Sequence, residues 1–370
     1  MNDIEIKQEQ TEQQKDEARK TKKKKFSYSK LSCFEQCGWH YKLRYVDKHF
    51  IPSDGIANQF GSLLHYVEEC IAKDIIANDG EALFMIDIEK YKDLFMNANI
   101  EDGEEHIIGI NKLKEKYPEK FYEQDKTGKT YQDKADHYLA HGIYSLQRFL
   151  KQNPDLKLLA AEQDFNLEYG DYIFHGSIDR VLQDKDTGQI ILEDIKTWPD
   201  IKGHDVITPL QFVFYSLAAA EIYKVPVEKI ECYYVLPLLD QRHAAGTKNF
   251  IKRGLKKIDN LLGEISSENF EPKPSVLCYW CEFSRTYLEG QSEEAKNLCP
   301  YYCKWTKEKK DYGHEYEWMG IENHENILQA FIEKYSQKDI TTKAIKENDL
   351  ILEPLYPDTE KNKRFFIIRR

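Results

Sequence analysis

The sequence predicts an α/β fold in which a central sheet is flanked by helices. Two observations indicate this class. Residues 158–196 contain three runs rich in β-branched and aromatic residues, and turn-forming residues separate the runs. Apolar residues recur at helical spacing before and after this stretch, within residues 30–46 and from Pro209 onward. A chain that combines such strands and helices is typical of an α/β domain.

The three central strands are predicted at residues 158–169, 172–182 and 189–196. The dipeptide Gly170-Asp171 joins the first two strands as a tight turn. A polar Asp-Lys-Asp-Thr-Gly segment joins the second strand to the third. A further strand is expected at residues 229–236.

Two of these strands carry acidic residues near their ends. Asp179 lies near the end of the second strand, and Asp194 and Lys196 lie two residues apart on the third. Because side chains alternate between the faces of a strand, Asp194 and Lys196 point to the same face. That face would hold two carboxylates and an ammonium group in a small volume. The alternative is two solvated acids and a surface lysine at the end of a strand.

A divalent cation is the natural compensation for such acids, because an unpaired buried carboxylate is strongly disfavoured. Mg²⁺ and Mn²⁺ prefer oxygen ligands and commonly take only one or two protein carboxylates, which leaves positions for water and a phosphate. Lys196 could then hold or deprotonate an attacking water and balance charge on the phosphate.

The remaining elements are predicted to be helical. Ser29 can cap a helix over residues 30–46, which would place Cys33 and Cys37 on one helical face. Most of residues 58–150 read as helix, with an insertion between residues 72 and 150. Gly61 begins the helix that carries His65, and Pro209 begins a helix on which Gln211 and Tyr215, four residues apart, lie side by side.

Composition limits the classes of protein. Of the 370 residues, 53 are basic and 64 acidic, so the net charge of −11 does not by itself indicate a nucleic-acid-binding protein, although a local basic groove is compatible with it. Residues 1–25 are expected to be a disordered charged tail. No apolar run is long enough to span a bilayer, and we expect a soluble, cytoplasmic protein with no membrane partner. The eight cysteines favour metal ligation or free thiols over disulfides.

The triplet Gly128-Lys129-Thr130 does not form a phosphate-binding loop. Glu123 occupies the position where that motif requires a glycine, and no strand precedes the triplet. An ATPase site is therefore not expected, and any helicase would be a separate protein.

An ordered series of segments resembles the RecB-type branch of the PD-(D/E)XK nuclease superfamily, which includes AddB-like and CRISPR-associated four-cysteine nucleases. Each segment is weak alone, but their joint order over about residues 27–305 is specific. The segments are SYSKLSCFEQCGWHYKLRYVDK at 27–48, GSLLHYVEE with His65, AEQDF with Glu162, GSIDRV with Asp179, LEDIKTW with Asp194 and Lys196, LQFVFY with Gln211 and Tyr215, and CYWCEF with Cys278 and Cys281.

The resemblance implies a restriction-endonuclease-like core, with a mixed central sheet, and a metal site in it. His65, Asp179, Asp194 and the backbone carbonyl of Ile195 would hold one or two Mg²⁺ or Mn²⁺ ions, and Lys196 would position the nucleophile. Gln211 and Tyr215 would hold DNA or orient the acids. Glu162 is the weaker candidate, either behind the metal ligands or purely structural.

The resemblance also implies a metal centre built from cysteines. One cysteine before the core, Cys37, and three after it would hold an iron–sulfur cluster. The three are Cys278, Cys281 and either Cys299 or Cys303, and Cys299 is favoured because it precedes a proline. Zinc is the alternative metal for the same thiolates. The sequence departs from the family where Gly38 replaces a usual proline, and where no cysteine follows CYWCEF at the usual short distance.

The function expected from these observations is metal-dependent hydrolysis of DNA, by an exonuclease that processes DNA ends in recombination, repair or phage replication. The nuclease domain is expected at residues 26–305, followed by an extension of unknown role at 306–370. One alternative is a non-catalytic nucleic-acid-binding or assembly subunit with a nuclease-like fold. A second is a sequence-specific endonuclease of the restriction type, which His65 and the cysteine set disfavour.

Overall fold

The computed structural model of the chain divides into two compact units. The first unit comprises Met1–Tyr28 and Asp54–Asn260, and the second comprises Ser29–Ser53 and Leu261–Arg370. The residues that the structure describes are 23–49, 55–80, 87–102, 105–125, 127–197, 208–273, 281–283 and 298–299, together with the backbone of the strands at 301–304, 315–318, 340–346, 349–354 and 366–369.

A mixed sheet of six strands forms the centre of the described part of the first unit. The strands of this unit are β1 (Lys24–Phe26), β2 (Asn99–Asp102), β3 (Glu105–Ile108), β4 (Leu156–Tyr169), β5 (Tyr172–Asp184), β6 (Ile190–Ile195), β7 (Ile230–Leu236) and β8 (Gln241–Ala244). Strand β5 pairs antiparallel with β4 and β6, and β7 pairs parallel with β6 and antiparallel with β8. Strand β1 pairs parallel with β5, and β2 and β3 form a separate hairpin.

The α-helices are α1 (Tyr28–Gln36), α2 (Gly38–Tyr41), α3 (Ile56–Ala77), α4 (Ile88–Asn97), α5 (Ile110–Lys116), α6 (Pro118–Phe121), α7 (Tyr131–Ala140), α8 (Ser145–Gln152), α9 (Leu210–Tyr223) and α10 (Phe250–Ser266). Helix α1, apart from its first residue, and α2 belong to the second unit. Helix α9 packs on the sheet through aromatic contacts, with the Phe212 and Tyr234 rings 5.0 Å apart and the Phe214 and Phe174 rings 4.3 Å apart. The α/β class with a mixed sheet flanked by helices is confirmed.

An apolar core joins α3 to the inserted helices and to the sheet. Phe60, Leu64 and Ile71 of α3 are buried in the same cluster as Phe95 of α4 and Tyr138 of α7. Helix α7 begins with a capping box in which the Thr130 and Asp133 side chains each bond the other's backbone N–H, so this threonine starts a helix. The described residues of the predicted insertion include helices α4 to α8 and also the β2–β3 hairpin, which the sequence does not predict.

The four predicted central strands are confirmed as β4, β5, β6 and β7, and the predicted helix after Pro209 is confirmed as α9. The expected disordered tail is wrong at its end, because Lys24 and Lys25 lie in β1. Backbone pairing with β5 and the burial of Phe26, which is 3% exposed, hold this short strand despite its charges. The earlier part of the tail lies outside the described residues.

The second unit contains the segment around Cys37. We expected one continuous helix there, but α1 ends at Gln36 and α2 begins at Gly38. Cys37 lies between them with an extended backbone, and its Sγ accepts a hydrogen bond from the His40 N–H at 3.5 Å. A π-helical turn, Lys42–Val46, follows.

The structure explains why residue 38 is a glycine. A Cβ at this position would lie 2.9 Å from the carbonyl oxygen of Glu271, so the backbone of the segment before residue 272 approaches too closely for any other residue. This is where the family pattern usually has a proline.

The rest of the second unit contains further strands, β9 (Tyr301–Lys304), β10 (Glu315–Trp318), β11 (Ile340–Lys346), β12 (Asp349–Pro354) and β13 (Phe366–Arg369). Strands β9 and β10 form one antiparallel pair, and β11, β12 and β13 form another sheet. Within the described ranges, no helix is both long enough and apolar enough to cross a membrane.

Candidate active site

Three strands and one helix of the first unit bring the predicted site residues together. We call Glu162 of β4, Asp179 of β5, Asp194 of β6 and His65 of α3 the acidic cluster. The His65 Nδ1 atom lies 3.7 Å from Asp179 Oδ2. One ligand atom each from His65, Glu162 and Asp179 lies within 4.8 Å of the others.

Asp179 and Asp194 share a face of the sheet where β6 ends. Arg180 and Glu193 are paired across the β5–β6 ladder. Arg180 follows Asp179 and Glu193 precedes Asp194, so the two aspartates are also neighbours across this ladder. Asp179 accepts a hydrogen bond of 2.6 Å from the backbone N–H of Ile195, which fixes its carboxylate against the end of β6. Asp179 is 8% exposed and Asp194 is 1% exposed.

Glu162 enters this group through an unusual backbone conformation. Its φ is +47°, in the left-handed region, although it lies inside a long strand. Non-glycine residues seldom adopt this conformation, which costs on the order of 1 kcal/mol or more. Such strain is concentrated at functional sites. Glu162 is one of the three converging donors, although it is the weaker candidate in the sequence.

Lys196 lies immediately after β6 and links the acidic cluster to α9. Its Nζ atom is 2.6 Å from Asp194 Oδ2 and donates a hydrogen bond of 3.2 Å to Gln211 Oε1. The Gln211 side-chain amide in turn donates to Tyr215 Oη at 2.8 Å. The spacing of Gln211 and Tyr215 thus produces a connected chain of polar groups that ends at the acids.

The electrostatics of the cluster follow from its burial. Burial raises the pKa values of Asp179 and Asp194 above the ordinary carboxyl range, and Lys196 partly opposes the shift at Asp194. Burial and then the charge of Asp179 raise the pKa of Glu162 to about 7. Loss of solvent lowers the pKa of His65, which favours the neutral imidazole. Neighbouring acids raise the pKa of Lys196 although burial opposes its charge, so Lys196 stays an ammonium ion.

This donor set fits a divalent cation. The converging atoms are carboxylate oxygens and an imidazole nitrogen, which together suit Mg²⁺ or Mn²⁺. Burial is the main cause of the raised pKa values of these carboxyl groups, and the charge of Asp179 adds to the shift at Glu162 and Asp194. A cation between the acids would offset both costs. Asp194 is not one of the three residues whose donor atoms lie within 4.8 Å of one another, and its Oδ2 atom lies 2.6 Å from Lys196 Nζ.

The predicted cysteine centre is described only in part. Cys278 lies outside the described residues, and the side chain of Cys303 is likewise not described. Cys37 Sγ accepts a second hydrogen bond from the Lys273 N–H at 3.4 Å. Among the described side chains, Cys37, Cys281 and Cys299 do not form a set of mutually close donors.

A different donor set occurs in the second unit. His40, Cys281 and Glu282 each offer a donor atom within 4.8 Å of the others. The same Glu282 Oε1 atom accepts from His40 Nε2 at 3.0 Å and from Arg44 Nη1 at 2.9 Å. The sequence analysis assigned no role to His40, Arg44 or Glu282.

Sequence reasoning also missed the charged residues next to the acidic cluster. Arg180 follows Asp179 and Glu193 precedes Asp194, and both are completely buried. The signal was available, because two charged residues in neighbouring apolar strands are unusual on a core face. Their pairing depends on the strand register, which a single sequence does not define.

Comparisons with known proteins identify the family. A family model described as the PD-(D/E)XK nuclease superfamily matches residues 25–286. Thirteen chains of solved structures also match. One of these, titled "Crystal structure of SSO0001", is 18% identical over 41% of this chain and 74% of that chain, with a TM-score of 0.23, which is too low to support a structural argument. No curated protein matches at a significant level.

Proposed function

The chain belongs to the PD-(D/E)XK nuclease superfamily, and from this premise we propose that it hydrolyses phosphodiester bonds of DNA with a bound divalent cation. One observation carries the proposal. Asp179, Asp194 and Lys196, the signature residues of the resemblance, lie in one polar group with His65 and Glu162. A fold that merely retained the family's architecture would not need these costly buried charges.

The residues that would hold the cation are His65, Asp179, Asp194 and the Ile195 carbonyl, and the geometry adds Glu162. A bound Mg²⁺ or Mn²⁺ supplies a Lewis acid for the phosphate and lowers the pKa of a water molecule. The Asp179 carboxylate is already oriented by the Ile195 N–H, so little reorganisation is needed for it to act as a ligand.

Lys196 would hold the attacking water or a phosphate oxygen through its ammonium group. The raised pKa of Lys196 favours a role as a charged hydrogen-bond donor over a role as a base. Gln211 fixes the direction of the ammonium group through their 3.2 Å hydrogen bond, and Tyr215 fixes Gln211. Burial holds the pKa of Tyr215 far above its usual range, so its hydroxyl stays protonated.

The rival function is a non-catalytic DNA-binding or assembly subunit. This rival predicts the loss of at least one of Asp179, Asp194 and Lys196, and all three are present. The buried position of both aspartates and the short contact between Asp194 and Lys196 favour the enzyme.

We predict that the protein degrades linear DNA and leaves covalently closed circles intact. The reason is its resemblance, through His65 and the Gln211–Tyr215 pair, to a branch that is mainly exonucleolytic. The measurement is incubation of end-labelled linear duplex and closed circular duplex with the purified protein and Mg²⁺ or Mn²⁺. Efficient nicking of the circles under conditions that degrade the linear DNA would favour the restriction-type alternative.

Processing of DNA ends in recombination, repair or phage replication is the setting that we propose. The Gly128-Lys129-Thr130 triplet lacks the features of an ATPase site, and Thr130 caps a helix, so we do not propose that this triplet drives the opening of a duplex.

We further propose that Cys37, Cys278, Cys281 and one of Cys299 and Cys303 bind a single iron–sulfur cluster, with zinc as the alternative. Two backbone N–H groups already point at Cys37 Sγ, an arrangement that suits a thiolate ligand. A centre shared by Cys37 and Cys281 would close a long loop of chain, and such closure restricts the unfolded state.

Replacing Cys281 with alanine should therefore lower solubility and remove the metal before it affects the chemistry, because no cysteine belongs to the acidic cluster. Anaerobically purified protein should be brown, and the Cys281→Ala variant should be colourless. The matched control is Cys70→Ala, which alters a cysteine outside the set and should keep the colour. A colourless wild-type protein with stoichiometric zinc would show that the bound metal is zinc and not iron. The absence of both metals would reject the centre.

A further inference from the structure

A network of buried charges lies directly behind the acidic cluster. Arg180 of β5 is 0% exposed and contacts two acids, with Nη1 3.3 Å from Glu68 Oε2 and Nε 3.2 Å from Glu193 Oε2. Glu68 of α3 and Glu193 of β6 are 1% and 0% exposed. We call Glu68, Arg180 and Glu193 the buried ion network.

A further polar side chain contacts each of the two acids of the buried ion network. Tyr138 of α7 donates a hydrogen bond of 2.7 Å to Glu68 Oε1. Arg242 of β8 forms an ion pair with Glu193, and its guanidinium carbon lies 3.5 Å from the centre of the Phe149 ring. The charges of the two acids and the two arginines therefore balance, and each acid has more than one partner.

Each residue of the buried ion network lies close in sequence to a residue of the acidic cluster. Arg180 directly follows Asp179, and Glu193 directly precedes Asp194. Because successive side chains of a strand point to opposite faces, the network lies on the reverse side of the same two strands. Glu68 lies three residues after His65, which is close to one helical turn. The three elements that carry His65, Asp179 and Asp194 are thus joined by one arginine.

A gain in the free energy of folding is a poor explanation for the buried ion network. Buried ion pairs lose solvation, and apolar residues of similar volume often stabilise a core as well or better. What this network does supply is position, because the Arg180 guanidinium donates a hydrogen bond to Glu68 and forms an ion pair with Glu193, which links α3 and β6 to β5. A metal site needs its ligands held close to the productive geometry by groups behind them.

We infer that Arg180, with Glu68 and Glu193, positions α3, β5 and β6 so that His65, Asp179 and Asp194 converge on the cation. These three are positioning residues, since they act through the proposed ligands and do not themselves hold the cation. The inference rests on the proposed metal site but not on whether the cleaved substrate is linear or circular DNA.

The test is a variant that removes the network without leaving an unpaired acid in the core. Glu68→Gln, Arg180→Met and Glu193→Gln are combined in one protein, and Arg242, which is partly exposed, keeps access to solvent. Equilibrium binding of Mn²⁺ is followed by electron paramagnetic resonance, and kcat and KM are measured on linear DNA. We expect the dissociation constant for Mn²⁺ to rise and kcat to fall, each about tenfold to one hundredfold, with KM for DNA unchanged.

A second variant and a control keep the result decisive. If the triple variant does not fold, Glu68→Gln alone is measured, since it is close in shape to the native residue and should weaken Mn²⁺ binding in the same direction. The control is Leu113→Ala, a truncation in the core of α5, where Leu113 is 0% exposed. Unchanged Mn²⁺ affinity in the network variants, or a loss no larger than in Leu113→Ala at equal thermal stability, would overturn the inference.

The metal-binding measurement separates this inference from the proposed function. Asp179→Asn removes a proposed ligand itself. If Asp179→Asn leaves Mn²⁺ affinity unchanged, the metal site is wrong. If Asp179→Asn abolishes binding while the network variants bind normally, the site stands and only the positioning role is rejected.

Discussion

Replacing Asp194 with asparagine should lower the rate of DNA cleavage about a thousandfold or more while the protein stays folded and still binds DNA. Asn has the same shape but no charge, so both the proposed metal ligand and the 2.6 Å partner of the Lys196 ammonium group are weakened at once. The fold should tolerate the change because burial already makes the charged form of Asp194 unfavourable, as its raised pKa indicates. Lys196→Ala should give a loss of similar size.

Parallel assays of cleavage, DNA binding and thermal unfolding decide this prediction. The matched control is Asp164→Asn, the same chemical change at an exposed position of β4 two residues from Glu162, and it should cleave normally. Cleavage retained in Asp194→Asn or in Lys196→Ala would place the catalytic site elsewhere on the chain.

Addition of Mn²⁺ or Mg²⁺ should stabilise the wild-type protein against unfolding, and removal of the metal by a chelator should abolish cleavage. A cation that binds only the folded state stabilises it by about 2.7 kcal/mol at one hundred times its dissociation constant. The physical source here is that the cation offsets the burial of Glu162, Asp179 and Asp194, which raises their pKa values, and the repulsion that Asp179 adds at the other two. The measurement is the unfolding midpoint across a titration of each metal.

The stabilisation should be lost in Asp179→Asn and reduced in His65→Ala, because both residues contribute atoms to the converging set. Asp164→Asn again serves as the control and should show the full shift of the unfolding midpoint. An equal shift in Asp179→Asn would mean that the metal binds at another site.

The central part of the fold could be predicted from sequence because its strands are apolar and end at strong turn signals. The Gly170-Asp171 turn is an example. Strands β1 and β8 could not be predicted. Strand β8 reads Gln-Arg-His-Ala, with no alternation of apolar residues, and it forms by pairing with β7 while Arg242 forms an ion pair with Glu193. The break at Cys37 was also missed, because a cysteine is rarely expected to cap a helix.

The part of the candidate site that depends on residues close together in sequence could be predicted. The spacing of Asp194 and Lys196 places both on one face, and their 2.6 Å contact agrees with this. The convergence of Glu162 with His65 and Asp179 was not predictable, since it depends on the β4–β5 register and on the position of α3. The buried ion network depends on which residues face each other across β5 and β6, and this register is a property of the assembled sheet.

At position 162, the stability of the backbone and the proposed metal binding favour different residues. A residue that favours the left-handed conformation of Glu162, such as glycine or asparagine, would relieve strain and remove a partly buried acid. The same change would discard a donor of the proposed metal site. Design methods that rank substitutions by folding energy alone would therefore choose this position early, and would gain thermostability there at the expense of catalysis.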